Sequence, residues 1–225
     1  NKITIMRKTF LTLASLAICL LSFAQDKAAK EKKKPTLSFT AGPSIPIGSF
    51  GESDPLNVSS GMAKMGTSFS ATYTHFIQKD FGIAVSFLVN WYETDTLLFS
   101  QGRASKPGDN WQMVGFAVGP AFSRNFSKKL EGDFRLTGGF MNVNTPVLTY
   151  AQRTIKKDTK FSPVLQAEAG LNYSVGKKIY LLLNAAYMHL DPKFDAVITI
   201  NGNTADPYQQ SISVINVRAG LGVRL

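Results

Sequence analysis

Ile215-Asn216-Val217-Arg218-Ala219-Gly220-Leu221-Gly222-Val223-Arg224-Leu225 closes the sequence with strict alternation. One set, Ile215, Val217, Ala219, Leu221, Val223 and Leu225, is apolar; the other, Asn216, Arg218, Gly220, Gly222 and Arg224, is polar or small. A period of two sends the sets to opposite faces of one strand, so one face needs an apolar medium and the other needs water or charge partners. A soluble barrel would turn the apolar set inward, and a membrane barrel would turn it to hydrocarbon. The rest of the chain decides between them.

Segments of this kind recur near 36–46, 66–77, 81–93, 111–125, 130–143, 161–175, 179–190 and 211–225. Soluble strands usually run about 5–6 residues, whereas these match the about 9–11 that a tilted strand needs to cross a bilayer. The connections alternate as well. Gln78-Lys79-Asp80, Ser127-Lys128-Lys129 and Gly176-Lys177-Lys178 are short, while 47–65, 94–110, 144–160 and 191–210 are long. A transmembrane barrel with both ends in the periplasm has short turns on that side and long loops outside, which fits eight strands.

The faces sort consistently. The second segment sets Phe69, Ala71 and Tyr73 against Ser68, Ser70, Thr72 and Thr74, and the third sets Ile83, Val85, Phe87, Val89 and Trp91 against Gly82, Ala84, Ser86, Leu88 and Asn90. The fifth opposes Phe134, Leu136 and Phe140 to Glu131, Asp133, Arg135 and Thr137, and the sixth opposes Leu165, Ala167, Ala169, Leu171 and Tyr173 to Gln166, Glu168, Gly170, Asn172 and Ser174. In the fourth, Val114, Phe116, Val118 and Phe122 stand against Gly115, Ala117, Gly119 and Ala121, small residues that suit a narrow interior. A soluble sandwich produces the same alternation around a shared core. It leaves the strand lengths and the alternating connections unexplained. The reading is an all-β, eight-stranded antiparallel up-and-down transmembrane β-barrel. Trp91, Tyr92 and Trp111 toward the outer rim, and Phe76, Phe81, Phe126 and Tyr180 toward the periplasmic rim, read as interfacial girdles.

Residues 1–24 read as upstream residues plus an export signal: Arg7 and Lys8, an apolar run from Phe10 to Leu21, and Ser22-Phe23-Ala24 before Gln25. The run is shorter than the roughly 20 apolar residues of a spanning helix. Cys19, the only cysteine, lies within it, and Leu16-Ala17-Ile18 departs from a lipoprotein cleavage box by its bulky Ile18. A mature chain without cysteine has no disulfide or thiol chemistry. Residues 25–35 form a Lys-rich periplasmic leader of low complexity, and residues 36–225 form the barrel. The net charge of +10 therefore overstates the barrel's own basicity, since Lys2, Arg7 and Lys8 belong to the signal segment and Lys27, Lys30, Lys32, Lys33 and Lys34 to the leader. No basic domain interleaved with stacking aromatics is present, which argues against nucleic acid as a partner.

The chain resembles the short outer-membrane β-barrel domain family, the porin-family proteins of OmpA/OmpX-type architecture. The most specific resemblance is at the end, where Arg218, Gly220, Val223 and Leu225 fit the terminal signal read by the barrel-assembly machinery, with Leu225 where a terminal Phe is usual. The stretch Gly42 to Phe50, with Pro46 and Gly48, is similar to the first-strand exit of such proteins. The resemblance implies the outer membrane of a Gram-negative-type cell, periplasmic termini, and contact with outer-membrane lipids and lipopolysaccharide. It implies no defined activity.

An eight-stranded barrel has an interior just wide enough for side chains, so charges there must pair. The expected lumen network pairs Glu168 with Arg218, and Glu131 and Asp133 with Arg135 and Arg224. The network either plugs the lumen or lines a narrow pore. Arg153, Lys156, Lys157 and Lys160 against Asp158 make the third long loop the most charged, a candidate contact for anionic lipopolysaccharide. His75 falls at the periplasmic end on the apolar face; His189 sits near the outer rim beside Asp191, with no serine placed by sequence as a nucleophile. No catalytic residues, metal-ligand cluster or cofactor motif is read, so the expectation is a non-enzymatic structural or adhesive barrel acting through its loops. A narrow passive pore and a subunit of an envelope secretion or assembly complex, with an unidentified protein partner, are the alternatives.

Overall fold

The computed structural model describes residues 33–53, 60–95, 110–146, 148–150, 153–155, 157–195, 198–200, 203–204 and 208–225. The export signal with Cys19, the leader as far as Lys32, Lys156 and the side chain of Arg153 lie outside the described residues. Eight long strands carry the fold: β1 (Thr36–Ile47), β2 (Gly66–Phe76), β3 (Phe81–Tyr92), β4 (Trp111–Asn125), β5 (Leu130–Asn144), β8 (Thr159–Ser174), β9 (Ile179–Leu190) and β14 (Ile212–Arg224). Each begins and ends within about two residues of the segment its alternation marks. The missing numbers are short strands in the third and fourth long connections: β6 (Leu148–Tyr150), β7 (Arg153–Ile155), β10 (Lys193–Phe194), β11 (Ile198–Ile200), β12 (Asn203–Thr204) and β13 (Tyr208–Gln209).

The long strands close into one antiparallel barrel in the order β1-β14-β9-β8-β5-β4-β3-β2. The terminal stretch performs the closure, with Thr36 opposite Arg224 and Ile47 opposite Ser213, and the Leu225 N–H reaches the Pro35 carbonyl at 2.9 Å. Closure leaves no edge strand, so the backbone groups of the wall are satisfied by their neighbours, as a structure standing in hydrocarbon requires. The loop strands form a four-stranded sheet, β12-β11-β7-β6, and a separate β10-β13 pair. The start of β1, the end of β14 and the three short turns lie at one rim, the periplasmic one by the rule for such barrels.

The polarity is inverted relative to a soluble protein. Phe134 is 44% exposed and Leu165 65%, while Glu168 is 2% exposed. Phe39, Val118, Phe140, Leu183 and Leu221 join the outward apolar wall, and Ser38, Thr72, Asn90, Gln166 and Arg218 are buried within. An exterior of this kind is stable only against hydrocarbon, so the sandwich alternative is excluded.

The girdle expectation is corrected for four of its seven aromatics. Trp91 and Phe126 face outward, but Tyr92, Trp111, Phe76 and Tyr180 are buried. Position near a strand end placed them at the rim, whereas side-chain direction follows parity: Tyr92 shares its face with Asn90 and Leu88, and Tyr180 shares its face with Leu182 and Asn184. Tyr180 also explains a glycine in the terminal stretch. A Cβ at Gly222, its cross-strand partner, would meet the Tyr180 ring at 2.2 Å. Gly222→Val should therefore destabilise the barrel by about 1–3 kcal/mol through overpacking. A lowered urea midpoint of the barrel folded into lipid vesicles, restored when Tyr180→Ala is added, would check it.

Candidate functional site

The lumen is filled in three levels. At the periplasmic mouth, the last leader residues enter the barrel. Lys33 Nζ donates to the Ser123 carbonyl and Oγ, both at 2.9 Å, and to Glu131 Oε1 at 3.1 Å, and it stands 5.5 Å over the Phe76 ring. Arg224 donates to Ser174 Oγ at 2.9 Å, lies 3.4 Å from Glu131 Oε2, and covers the Tyr180 ring at 5.1 Å. Glu131 thus holds two cations from the first and the last strand regions of the barrel. Lys33 belongs to the Lys-rich leader, where no alternation marks a facing, and only the fold brings it to Glu131.

At mid-depth, Glu168 lies between two arginines. Arg135 Nη1 donates to its Oε1 at 2.6 Å, and Arg218 Nη2 donates to its Oε2. Arg135 also meets Asp133 at 2.7 Å. Asn184 Nδ2 and Gln166 Nε2 complete the carboxylate's acceptors at 3.2 and 3.3 Å, and Arg218 Nε returns to Asn184 Oδ1 at 3.3 Å. The buried charges are tolerable because each Glu168 oxygen accepts from one guanidinium and one side-chain amide, and Arg135 is shared with Asp133. Arg135 faces Glu168 directly across the β5–β8 ladder, while Arg218 reaches it from β14, two strands away.

Above this layer the interior becomes apolar. Leu88, Met113, Met141, Val143, Met188 and Val214 are buried in one cluster, closed from outside by Phe50 and Phe194. Phe50 belongs to a 3-10 turn, Gly48–Phe50, which the left-handed Gly48 (φ 63°) starts directly after β1. Its ring meets Tyr92 and Trp111 edge-on at 5.2 and 5.4 Å, and Trp111 meets Phe194 at 6.1 Å. Trp111 Nε1 donates to the Gly61 carbonyl at 3.0 Å, and Tyr92 and Ser44 share a hydroxyl contact of 2.6 Å. Burial, reinforced by Asp158, pushes the Tyr208 hydroxyl above the usual phenol range where it packs on Phe194. A phenylalanine between charged residues, as at Phe194 between Lys193 and Asp195, is the signal that the sequence offers.

On the outer wall, His189 meets Ser213 Oγ through Nδ1 at 2.8 Å and Asp191 Oδ2 through Nε2 at 3.1 Å. Ser213 is thus the hydroxyl that sequence reasoning did not place; it lies directly opposite His189 in the β14–β9 ladder. Tyr187 stacks on the imidazole at 6.5 Å and shares Ser213 at 3.3 Å. His75 is exposed on the outward face of β2. In the third long loop, Lys160 is held by Asp195 and lies 3.6 Å from Asp158. Of the terminal residues, Val223 and Leu225 point outward at the rim, whereas Arg218 is committed to Glu168.

A family model described as the MetA-pathway of phenol degradation matches residues 9–191. Among solved structures, Neisserial surface protein A is 11% identical, with 87% of this chain and 100% of that chain covered at a TM-score of 0.54. The outer membrane protein OprG from Pseudomonas aeruginosa is 12% identical, with 88% and 98% covered at 0.50. At such identities the likeness establishes the fold. No curated protein matches the chain.

Proposed function

The chain belongs to the family described by the MetA-pathway of phenol degradation and is an eight-stranded outer-membrane barrel, and we propose that it is a sealed structural barrel acting through its extracellular loops. The observation that most supports this is the pairing of Glu168 with Arg135 and Arg218 across the lumen, beneath an apolar cap formed by residues of the first and fourth loops. An ion would have to separate buried charge partners and then cross an apolar layer, and both steps are costly. Purified protein in planar bilayers should be electrically silent. Stable conductance steps that change in Arg218→Ala would replace this reading with a narrow pore.

The loop sheet β12-β11-β7-β6 gives the protein an ordered platform outside the membrane, where individual function usually resides. Replacing residues 147–157 and 196–207 with short turns should abolish adhesion while the barrel still folds. Arg153, Lys156, Lys157 and Lys160 belong to this region as the proposed lipopolysaccharide contact, with Lys160 already engaged by two carboxylates. In the same reading, Arg218, Gly220, Val223 and Leu225 form the segment recognised by the barrel-assembly machinery. The Ser213, His189 and Asp191 group serves as a hydrogen-bonded rim ladder. Release of fatty acid from lipopolysaccharide by wild type but not by Ser213→Ala would make the protein an enzyme instead.

A second reading, uptake of small apolar molecules, is favoured by the apolar upper lumen and by a groove of ≈ 860 Å³ on the lipid-facing wall, where Gly138 leaves a gap among Phe116, Phe140 and Leu165. The family description, phenol degradation, names a substrate of that class. Titrating phenol into Trp91→Phe protein, in which Trp111 is the only remaining tryptophan, should saturably quench fluorescence if this reading holds.

A further inference from the structure

The two rims treat their cations differently. Outside, Lys64 pairs with Asp95 at 3.1 Å, Lys160 with Asp158 and Asp195, and His189 with Asp191, while Lys193 is exposed and makes no ion pair among the described residues. At the periplasmic rim, Lys79, Lys128, Lys129, Lys177 and Lys178 are all exposed, and none makes an ion pair among the described residues. The acids nearest in the chain are otherwise engaged: Asp80 lies 3.8 Å from Lys33, and Glu131 holds Lys33 and Arg224 inside the mouth.

These lysines recur in one pattern. Each short turn opens with an exposed apolar side chain, Ile77, Phe126 or Val175, and a lysine follows within two or three residues. The turns join β2 to β3, β4 to β5 and β8 to β9, so the pattern is spread around the barrel rather than gathered on one side. An apolar residue at the hydrocarbon edge followed by an ammonium group on a flexible stem places positive charge at the depth of lipid phosphates. A protein partner would be served by a contiguous patch. A ring fits what surrounds the barrel on every side.

We propose that the turn lysines Lys79, Lys128, Lys129, Lys177 and Lys178 form a basic collar that binds the headgroups of anionic phospholipids in the periplasmic leaflet. The collar selects phosphate-bearing lipids with net negative charge over zwitterionic ones, and it fixes the depth of the barrel from the inner side. Because each contact is solvent-exposed, the selectivity is additive over the turns and weakens with salt.

The test uses detergent-solubilised full chain exposed to equal amounts of phosphatidylglycerol and phosphatidylcholine with identical acyl chains, with retained lipid counted by native mass spectrometry. Wild type should retain phosphatidylglycerol about tenfold over phosphatidylcholine. Replacing all five lysines with glutamine should bring the ratio near parity, while Lys64→Gln with Lys193→Gln at the outer rim should leave it unchanged. If the fivefold variant does not fold, the pairs at 128–129 and 177–178, changed separately, should each lower the ratio. No preference in wild type, or an undiminished preference in the turn variants, overturns the proposal. So does displacement of the lipid by glycerol phosphate at equal concentration, which would make the collar a site for free phosphate.

Discussion

Glu168→Ala should be the most damaging single change in the lumen, costing about 3–5 kcal/mol of barrel stability. The carboxylate is shared by Arg135 at 2.6 Å and by Arg218, and both guanidiniums are buried. Removing it leaves two cations facing each other in a medium that cannot solvate them. Asp133 compensates only Arg135. The partners are not equivalent, and this gives the prediction its shape. Arg218→Met leaves Glu168 with Arg135, Asn184 and Gln166, so it should cost less than Glu168→Ala. Changing Glu168 and Arg218 together should recover part of the loss, because a buried ion pair replaced by apolar groups is often neutral. Urea midpoints of the barrel in lipid vesicles would measure all three. If Glu168→Ala lowered the midpoint no more than Leu165→Ala on the lipid-facing wall, Glu168 would not be the keystone of the lumen.

The strands and their facing were legible because a bilayer enforces strict parity over ten or more residues, and because three-residue turns tie neighbouring strands in register. Where a long loop intervenes, register is not set locally. Arg135 and Glu168 are direct cross-strand partners, as are His189 and Ser213, yet each pair is joined through a long connection. For that reason Arg135 could be assigned to the lumen, but its sharing of Glu168 with Arg218 could not be read. Ser213 was invisible as a neighbour of His189 for the same reason. The girdle error had a different origin. Parity sets Tyr92 and Tyr180 on the inward face, whereas nearness to a strand end fixes only their depth in the membrane. The loop sheet stayed hidden because runs as short as Leu148–Tyr150 carry no periodicity, and their pairing is set by the barrel that holds their ends.

Phe50→Ala should remove about 3–5 kcal/mol and should also loosen loops that the substitution does not touch. Phe50 is fully buried and bridges Tyr92 and Trp111, and through Trp111 it supports Phe194 of the fourth long connection. Phe194 in turn packs on Tyr208 at 5.3 Å. A cavity at Phe50 therefore undermines the seat of Phe194, so protease cleavage within 191–210 should accelerate in a variant altered near residue 50. Phe116→Ala provides the contrast. That ring stands in hydrocarbon, 62% exposed on the outer wall, and its loss should cost about 1.5–3 kcal/mol of burial without disturbing the cap. Stability alone would not separate the two variants, since both lose a phenyl ring. Loop cleavage does, because Phe50, unlike Phe116, connects the first loop to the fourth through the apolar chamber. Equal cleavage rates in the two variants would mean that the cap is an incidental contact and that the loops are held by their own strands.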